Sequence, residues 1–152
     1  MQTEAYKLME TVKSSFAVIV GIVLSFLMPI VPLILTVGGA IFLDTITGVY
    51  RSYKAKEAIT SRKLSVIVSK MLLYQLALIL FFVIETYVLQ DIIGAFTSIP
   101  LILTKIVTTV LLFIELTSIN ENYKDISGVN VWDKFKDLLK RAKEIKSDID
   151  DI

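Results

Sequence analysis

Residues 14–50 read SSFAVIVGIVLSFLMPIVPLILTVGGAIFLDTITGVY, and Asp44 is the only charged side chain among them. A second stretch, residues 64–119, carries only five charged side chains. The whole chain has 152 residues, with 16 Lys and Arg, 15 Asp and Glu, and a mean hydropathy of +0.70. A water-soluble domain distributes charge along the exposed face of every element. Confinement of charge to a few blocks therefore predicts an all-α polytopic membrane protein.

The apolar stretches divide into four predicted transmembrane helices. A bilayer core of about 30 Å needs about 20 helical residues, so residues 14–50 are too long for one span. Pro29 and Pro32 lie in the middle of that stretch, which favours a helical hairpin turning there over a single kinked helix. The predicted spans are 12–28, 32–53, 64–89 and 99–119, with a loop at 90–98 and Pro100 in the first turn of the last span. Residues 1–123 are the predicted membrane domain, and residues 124–152 a C-terminal tail.

Basic residues lie on one side of this arrangement. The N-terminus, the loop at 54–63 and the tail contain Lys or Arg, whereas the turns at 28–32 and 90–98 contain none. By the positive-inside rule, four spans place the N- and C-termini in the cytoplasm. A three-span alternative places the N-terminus outside, which Lys7 and Lys13 oppose only weakly.

Ionisable side chains inside the predicted spans need a partner or contact with water. Lys70 and Glu115 lie at matching depth near the cytoplasmic ends of two antiparallel spans, and Glu85 and Lys105 match near the outer ends. We predict two ion pairs, Lys70–Glu115 and Glu85–Lys105, within a subunit or between neighbours. The alternative is that both lysines extend to the membrane surfaces.

Two further patterns concern the first two spans. Asp44 is the deepest charge, about 15 Å from Lys54 along a helix, and it is neutral, paired with Arg51 or Lys70, or in contact with water. In the first span, small residues recur at every fourth position and let another helix approach closely. Packing inside the hairpin is favoured over a contact between subunits for this stripe, which consists of Ala17, Gly21 and Ser25.

The tail is predicted to form an amphipathic helix. Asn130 is a suitable N-cap with Asp133 at the third helical position, and apolar residues recur on one face from Val131 to Ile145. The other face is basic, so the helix is expected to lie on an anionic inner leaflet, or alternatively to pack on a partner or another subunit. The residues assigned to this membrane-surface helix are Trp132, Phe135, Lys136, Lys140, Arg141 and Lys143.

Several function classes are excluded by composition. The chain has no Cys and no His, which removes thiol nucleophiles, thiolate metal sites, the usual zinc ligands and the commonest general base. It also lacks the glycine-rich motifs that bind phosphates. We therefore predict neither an enzyme nor a metal or cofactor site, and the net charge of +1 gives no indication of nucleic-acid binding.

Two segments resemble motifs of the phage holin and toxin-secretion holin family, over residues 44–129. Asp44-Thr45-Ile46-Thr47-Gly48, followed by Ser61-Arg62-Lys63 and Lys70, resembles the family pattern D-x-x-T-G … S-[KR] … K. Glu115-Leu116-Thr117-Ser118-Ile119-Asn120-Glu121-Asn122, followed by Gly128-Val129, is similar to the ending E-x-x-S-I-x-E-N … G-[IV]. The residues that carry the two motifs are Asp44, Thr47, Gly48, Glu115, Ser118, Glu121 and Asn122.

The resemblance implies a small protein of double-stranded DNA phages or prophages that oligomerises in the bacterial cytoplasmic (inner) membrane. Such proteins open lesions through which an endolysin reaches the cell wall and lyses the host, and some relatives are linked to toxin release. We expect Asp44, Lys70 and Glu115 to share a polar network that either locks the resting subunit or lines an assembled pore. One alternative is a small transporter or ion-conducting subunit with proton or cation sites at Asp44 and Glu115. Another is a membrane anchor that recruits a partner through its C-terminal helix.

Overall fold

The computed structural model describes residues 2–58 and 60–150, which form helices joined by short connections. Helix α1 is Gln2–Leu27, a 3₁₀ turn follows at Met28–Ile30, and α2 is Val31–Lys54. Helix α3, Ser61–Ile84, continues through a π-helical turn, Glu85–Leu89, into the short α4, Gln90–Gly94. Helix α5 is Ile102–Ser127 and α6 is Val131–Asp150. Ile59 and the side chains of Arg62 and Lys63, which belong to the predicted basic loop, lie outside the described residues.

Helices α2, α3 and α5 form a three-helix bundle. Its apolar core consists of Val37 and Ile41 of α2 and Leu78 of α3, with side chains of α5 packed around them. Contacts of α2 with α5 advance in the same direction along both helices, so these two run parallel, and α3 runs antiparallel to them. The ends of α2 and α5 and the start of α3 therefore lie at one end of the bundle, as the predicted topology requires for a cytoplasmic side.

The bundle has polar side chains inside and apolar side chains outside. The buried residues of α5 are all polar, namely Thr104, Thr108, Glu115, Asn120 and Asn122, while large apolar side chains of every long helix are exposed. This distribution is the one expected of helices surrounded by lipid, because polar groups in a bilayer must face the protein interior. Three helical stretches are long and apolar enough to cross a membrane: Met9–Lys54, Ser65–Gly94 and Ile102–Ser127.

The N-terminal half does not contain the packed hairpin predicted at the two prolines. Every side chain from residue 9 to residue 26 is exposed, and α1 does not pack along α2. Pro29 and Pro32 each stand in the first turn of a helical segment, where proline is tolerated, and the residues between them keep right-handed helical angles. The two prolines therefore do not bring α1 and α2 into contact along their length. Phe26 is held instead by Phe82, with ring centroids 5.3 Å apart.

The small-residue stripe of α1 consequently does not pack against α2. Ala17, Gly21 and Ser25 are exposed, and a Cβ atom built on Gly21 would meet nothing within 4 Å. The apolar stretch Met9–Lys54 has 46 residues, which at 1.5 Å per residue is about 69 Å, roughly twice the thickness of a bilayer core. A single membrane crossing therefore accounts for only about half of this length.

Three predicted helix ends are also displaced. The predicted loop at 90–98 begins with α4, and α5 starts at Ile102, so Pro100 precedes the helix instead of lying in its first turn. At its other end α5 continues to Ser127, and the predicted boundary between residues 123 and 124 falls inside it. Asn120 and Asn122 do not end the helix, because their side chains bind neighbouring elements and leave the backbone helical. Gly128 ends it, with a left-handed φ of 72° that favours glycine.

Candidate functional site

Three charged side chains from three helices meet inside the half of the bundle where α2 and α5 end and α3 begins. The Nζ atom of Lys70 lies 2.9 Å from Oδ2 of Asp44 and 2.6 Å from Oε2 of Glu115. Glu115 is fully buried, whereas the Lys70 and Asp44 side chains retain 22% and 14% of their exposure. We call Asp44, Lys70, Glu115 and the adjoining Asn122 the polar cluster. Its two carboxylates and one ammonium carry a formal charge of −1.

Asn122 joins the two motifs across the α2–α5 interface. Its Nδ2 donates to Asp44 Oδ1 at 3.0 Å and to Thr47 Oγ1 at 3.2 Å. Gly48 lies beside this contact, and a Cβ atom at that position would stand 3.5 Å from Nδ2 of Asn122, an ordinary contact distance. The segments 44–48 and 115–122, which are far apart in the sequence, thus form one site.

A cavity of about 380 Å³ lies beside the polar cluster. Its lining includes Asp44, Lys70 and Asn122 at one end, Arg51 and Ser52 near the end of α2, and Ser118 of the second motif. Glu115 does not line this cavity, and Tyr74 of α3 lies close to its carboxylate. The cavity therefore reaches Asp44 and Lys70 but not the buried acid behind them. Glu121, the remaining motif residue, is exposed.

Arg51 is not the partner of Asp44. It lies 3.3 Å from Asp125 of α5, and both side chains are well exposed. One turn later, Lys54 donates through Nζ to the backbone carbonyl of Ile126. Carbonyl groups in the last turn of a helix lack intrahelical donors, so Lys54 satisfies one of them and places positive charge at the negative end of α5. These two contacts hold the C-terminal ends of α2 and α5 together.

The structure does not form the predicted Glu85–Lys105 ion pair. Glu85 is buried at the start of the π-helical turn and accepts hydrogen bonds from Leu103 N at 3.0 Å, Thr104 N at 2.8 Å and Thr104 Oγ1 at 2.6 Å. The first amide groups of a helix lack acceptors and attract anions, so the start of α5 takes the carboxylate that Lys105 was expected to bind. Lys105 is exposed on the outer side of α5, which fits the alternative that it extends to the membrane surface.

Two asparagines join α5 to the start of α6. Asn120 accepts from Val131 N at 2.9 Å through Oδ1 and donates to Oδ1 of Asn130 at 3.2 Å. Asn130 also accepts from Trp132 N at 2.9 Å, which confirms its prediction as the N-cap. Trp132 packs on Phe113, with ring centroids 6.1 Å apart. The sequence alone did not predict the contact of Thr104 with Glu85, the contact of Thr47 with Asn122, or this asparagine pair. The reason is that a single polar residue on a helix does not reveal its partner.

Between Asp133 and Lys146, the side chains of α6 are exposed. On the apolar face, Phe135, Leu138, Leu139 and Ile145 each retain about half of their accessible surface or more. The basic side chains Lys136, Lys140, Arg141 and Lys143 are exposed as well. Up to Lys146, both faces of α6 are therefore free of the bundle beyond the first turn.

Comparison with known proteins supports the family that the sequence resembles. A model of the bacteriophage holin family matches residues 18–144, a range that includes every member of the polar cluster and the start of α6. No curated protein and no solved structure matches the chain. Because the family match covers most of the sequence and confirms the resemblance seen in the motifs, the chain belongs to the bacteriophage holin family.

Proposed function

We propose that this protein oligomerises in the cytoplasmic membrane of a bacterial host and permeabilises it, so that an endolysin reaches the cell wall and the host lyses. The observation that carries the proposal is the meeting of both family motifs in one buried cluster, inside a bundle whose outer surface is apolar. A protein that inserts into the membrane, stays closed and later opens a polar path needs both the polar interior and the apolar outer surface.

In the resting subunit the polar cluster acts as a lock between α2, α3 and α5. Lys70 and the buried Glu115 lie within ion-pair distance inside one chain, and this contact within a single subunit favours the lock over a pore lining. Separating the helices would expose the cluster and the other polar side chains of α5. Such groups are stable in a bilayer only against water or another polar surface, so opening favours assembly of several subunits around a wet path.

The proposed arrangement in the membrane has four crossings with both termini in the cytoplasm. The length of Met9–Lys54 suffices for two crossings, with the bend at Met28–Ile30 on the outer side. The basic residues around Lys54 and in α6 then lie on the cytoplasmic side. Helix α6 lies on the anionic inner leaflet, because its first turn is fixed at the level of Asn120 and its apolar stripe has no cover from the bundle.

Induced expression in bacteria tests the proposal. We expect an abrupt loss of membrane potential after a delay, followed by lysis only when an endolysin is expressed as well. Graded flux of one kind of ion would overturn the proposal in favour of an ion-conducting subunit. Expression without any change in permeability would overturn it in favour of a membrane anchor.

A matched pair of substitutions tests the lock. Lys70→Met and Lys105→Met each remove one ammonium from a predicted span, but only Lys70 contacts two carboxylates. We expect Lys70→Met to change the time of lysis strongly, because it leaves two buried carboxylates without their cation. Lys105→Met should leave that time nearly unchanged. Equal effects of the two substitutions, at equal protein levels in the membrane, would contradict the lock.

A further inference from the structure

The charges of the polar cluster do not balance. Two carboxylates share one ammonium, and Arg51, the nearest cation toward the cytoplasm on α2, is bound to Asp125 instead. A net charge buried inside a bilayer is strongly unfavourable unless a counter-charge or a proton compensates it. The cluster therefore calls for one further positive charge.

The two carboxylates differ in the hydrogen-bond donors that contact them. Asp44 receives Lys70 on Oδ2 and Asn122 on Oδ1, so both of its oxygens have a donor. Glu115 is fully buried, its Oε2 lies 2.6 Å from Lys70 Nζ, and neither of its oxygens accepts a hydrogen bond of good geometry within the described residues. The titratable groups that face Glu115 are Asp44 from α2 and Lys70 and Tyr74 from α3. An ionised carboxylate is poorly accommodated at such a position, whereas a neutral carboxylic acid is not.

We propose that the polar cluster is a proton-binding site, with one proton held on the Glu115 carboxyl group in the resting subunit. The protonated acid leaves Asp44 and Lys70 as a neutral pair. Lys70 contacts both Glu115 and the cavity, so it can give a proton to water there and take the proton of Glu115, which leaves two carboxylates around one ammonium. The resulting negative charge weakens the packing of α3 and α5 on α2.

Infrared spectroscopy of the full chain in lipid nanodiscs tests the site directly. At neutral pH we expect the C=O stretching band of a protonated carboxylic acid, and Glu115→Gln should abolish it. Asp44→Asn should abolish it too, because a single carboxylate then balances Lys70 and no proton is needed. The control Asp91→Asn removes an exposed carboxyl group of α4 and should leave the band in place. Absence of the band in the unaltered protein, or its persistence in both cluster variants, would overturn the proposal.

A second measurement tests whether loss of the proton promotes permeabilisation, and this step rests on the proposed permeabilising function. Release of a dye from vesicles should become faster as pH rises, because the resting state loses its proton, by up to about tenfold per pH unit for one proton. Glu115→Gln imitates the protonated acid and should remove this dependence and slow the release. If dye release is insensitive to pH while the infrared band is present, the proton does not control permeabilisation. The proposal of a proton-binding site is then still supported. If the unaltered protein releases no dye at any pH, the permeabilising function fails, and the infrared result still decides the site.

Discussion

At the scale of single residues, this bundle uses its carboxylates in two different ways. Glu115 meets a cation within the membrane, whereas Glu85 meets the first amide groups of another helix. The second arrangement gives a buried acid three donors without any charged side chain. It also fixes where α5 begins, directly after Leu101, whose left-handed φ of 55° turns the chain into the helix.

Removing the carboxylate of Glu85 should destabilise the outer end of the bundle. Glu85→Ala leaves two backbone donors and the Thr104 hydroxyl without an acceptor, which costs about 1–3 kcal/mol. Glu85→Gln keeps one acceptor oxygen and should cost less. Unfolding by denaturant in mixed micelles measures both, with Lys105→Ala as a control that should change stability little. A Lys105→Ala effect as large as that of Glu85→Ala would instead support the ion pair.

Gly48 should tolerate one added methyl group but not a larger side chain. The space toward Asn122 accommodates a Cβ at ordinary contact distance, so Gly48→Ala should preserve the Asn122 bonds to Asp44 and Thr47. Gly48→Leu should push Asn122 away and alter the time of lysis. Gly21→Leu is the matched control within one subunit, since the space around Gly21 is open. A strong effect of Gly21→Leu on lysis, with normal stability of the subunit, would assign that position to a contact between subunits.

At the scale of elements, the sequence predicted what depends on depth and missed what depends on rotation and on helix ends. Lys70 and Glu115 could be matched because the depth of a residue follows from its count along an antiparallel helix. The same count put Lys105 beside Glu85, but α5 starts at Ile102, so its free amide groups lie at that depth and Lys105 points outward. The prolines did not mark a packed hairpin, because proline in the first turn of a helix is compatible with helical structure. The N-cap of α6 was predictable, since it depends only on local sequence.

The position of α6 can be measured with the chain's only tryptophan. Trp132 packs on Phe113, inside the apolar part of α5, so its indole should lie at the interface between headgroups and acyl chains. We expect blue-shifted emission in vesicles containing anionic lipid and quenching by lipids brominated near the headgroup. Asn120→Ala should weaken both, because it releases the amide of Val131 and the side chain of Asn130. Thr109→Ala, on the exposed side of the same helix, is the control. Emission typical of water in the unaltered protein would contradict the membrane-surface position.

At the scale of the whole molecule, the described chain consists of a bundle and two elements that the bundle leaves uncovered. Helices α2, α3 and α5 satisfy their polar groups mainly among themselves, while α1 is exposed along residues 9–26 and α6 beyond its first turn. Lipid covers a helix such as α1 only if it lies in the membrane. The number of membrane crossings therefore decides what α1 can contact. With four crossings, α1 lies within the bilayer and is available to other subunits.

The chain contains no cysteine, so single introduced thiols can determine its topology without prior removal of native cysteines. With four crossings, a membrane-impermeant maleimide added outside should label Met28→Cys and Ser98→Cys, both of which replace exposed residues at the outer end. Glu4→Cys and Glu144→Cys should react only after the membrane is permeabilised, because the basic flanks of the chain hold both termini in the cytoplasm. The labelling must be done at expression levels below those that permeabilise the membrane, with detergent-treated membranes as the control for reactivity. Labelling of Glu4→Cys from outside, with Glu144→Cys protected, would establish three crossings, so that the 46 residues of Met9–Lys54 pass through the membrane once and α1 extends beyond it.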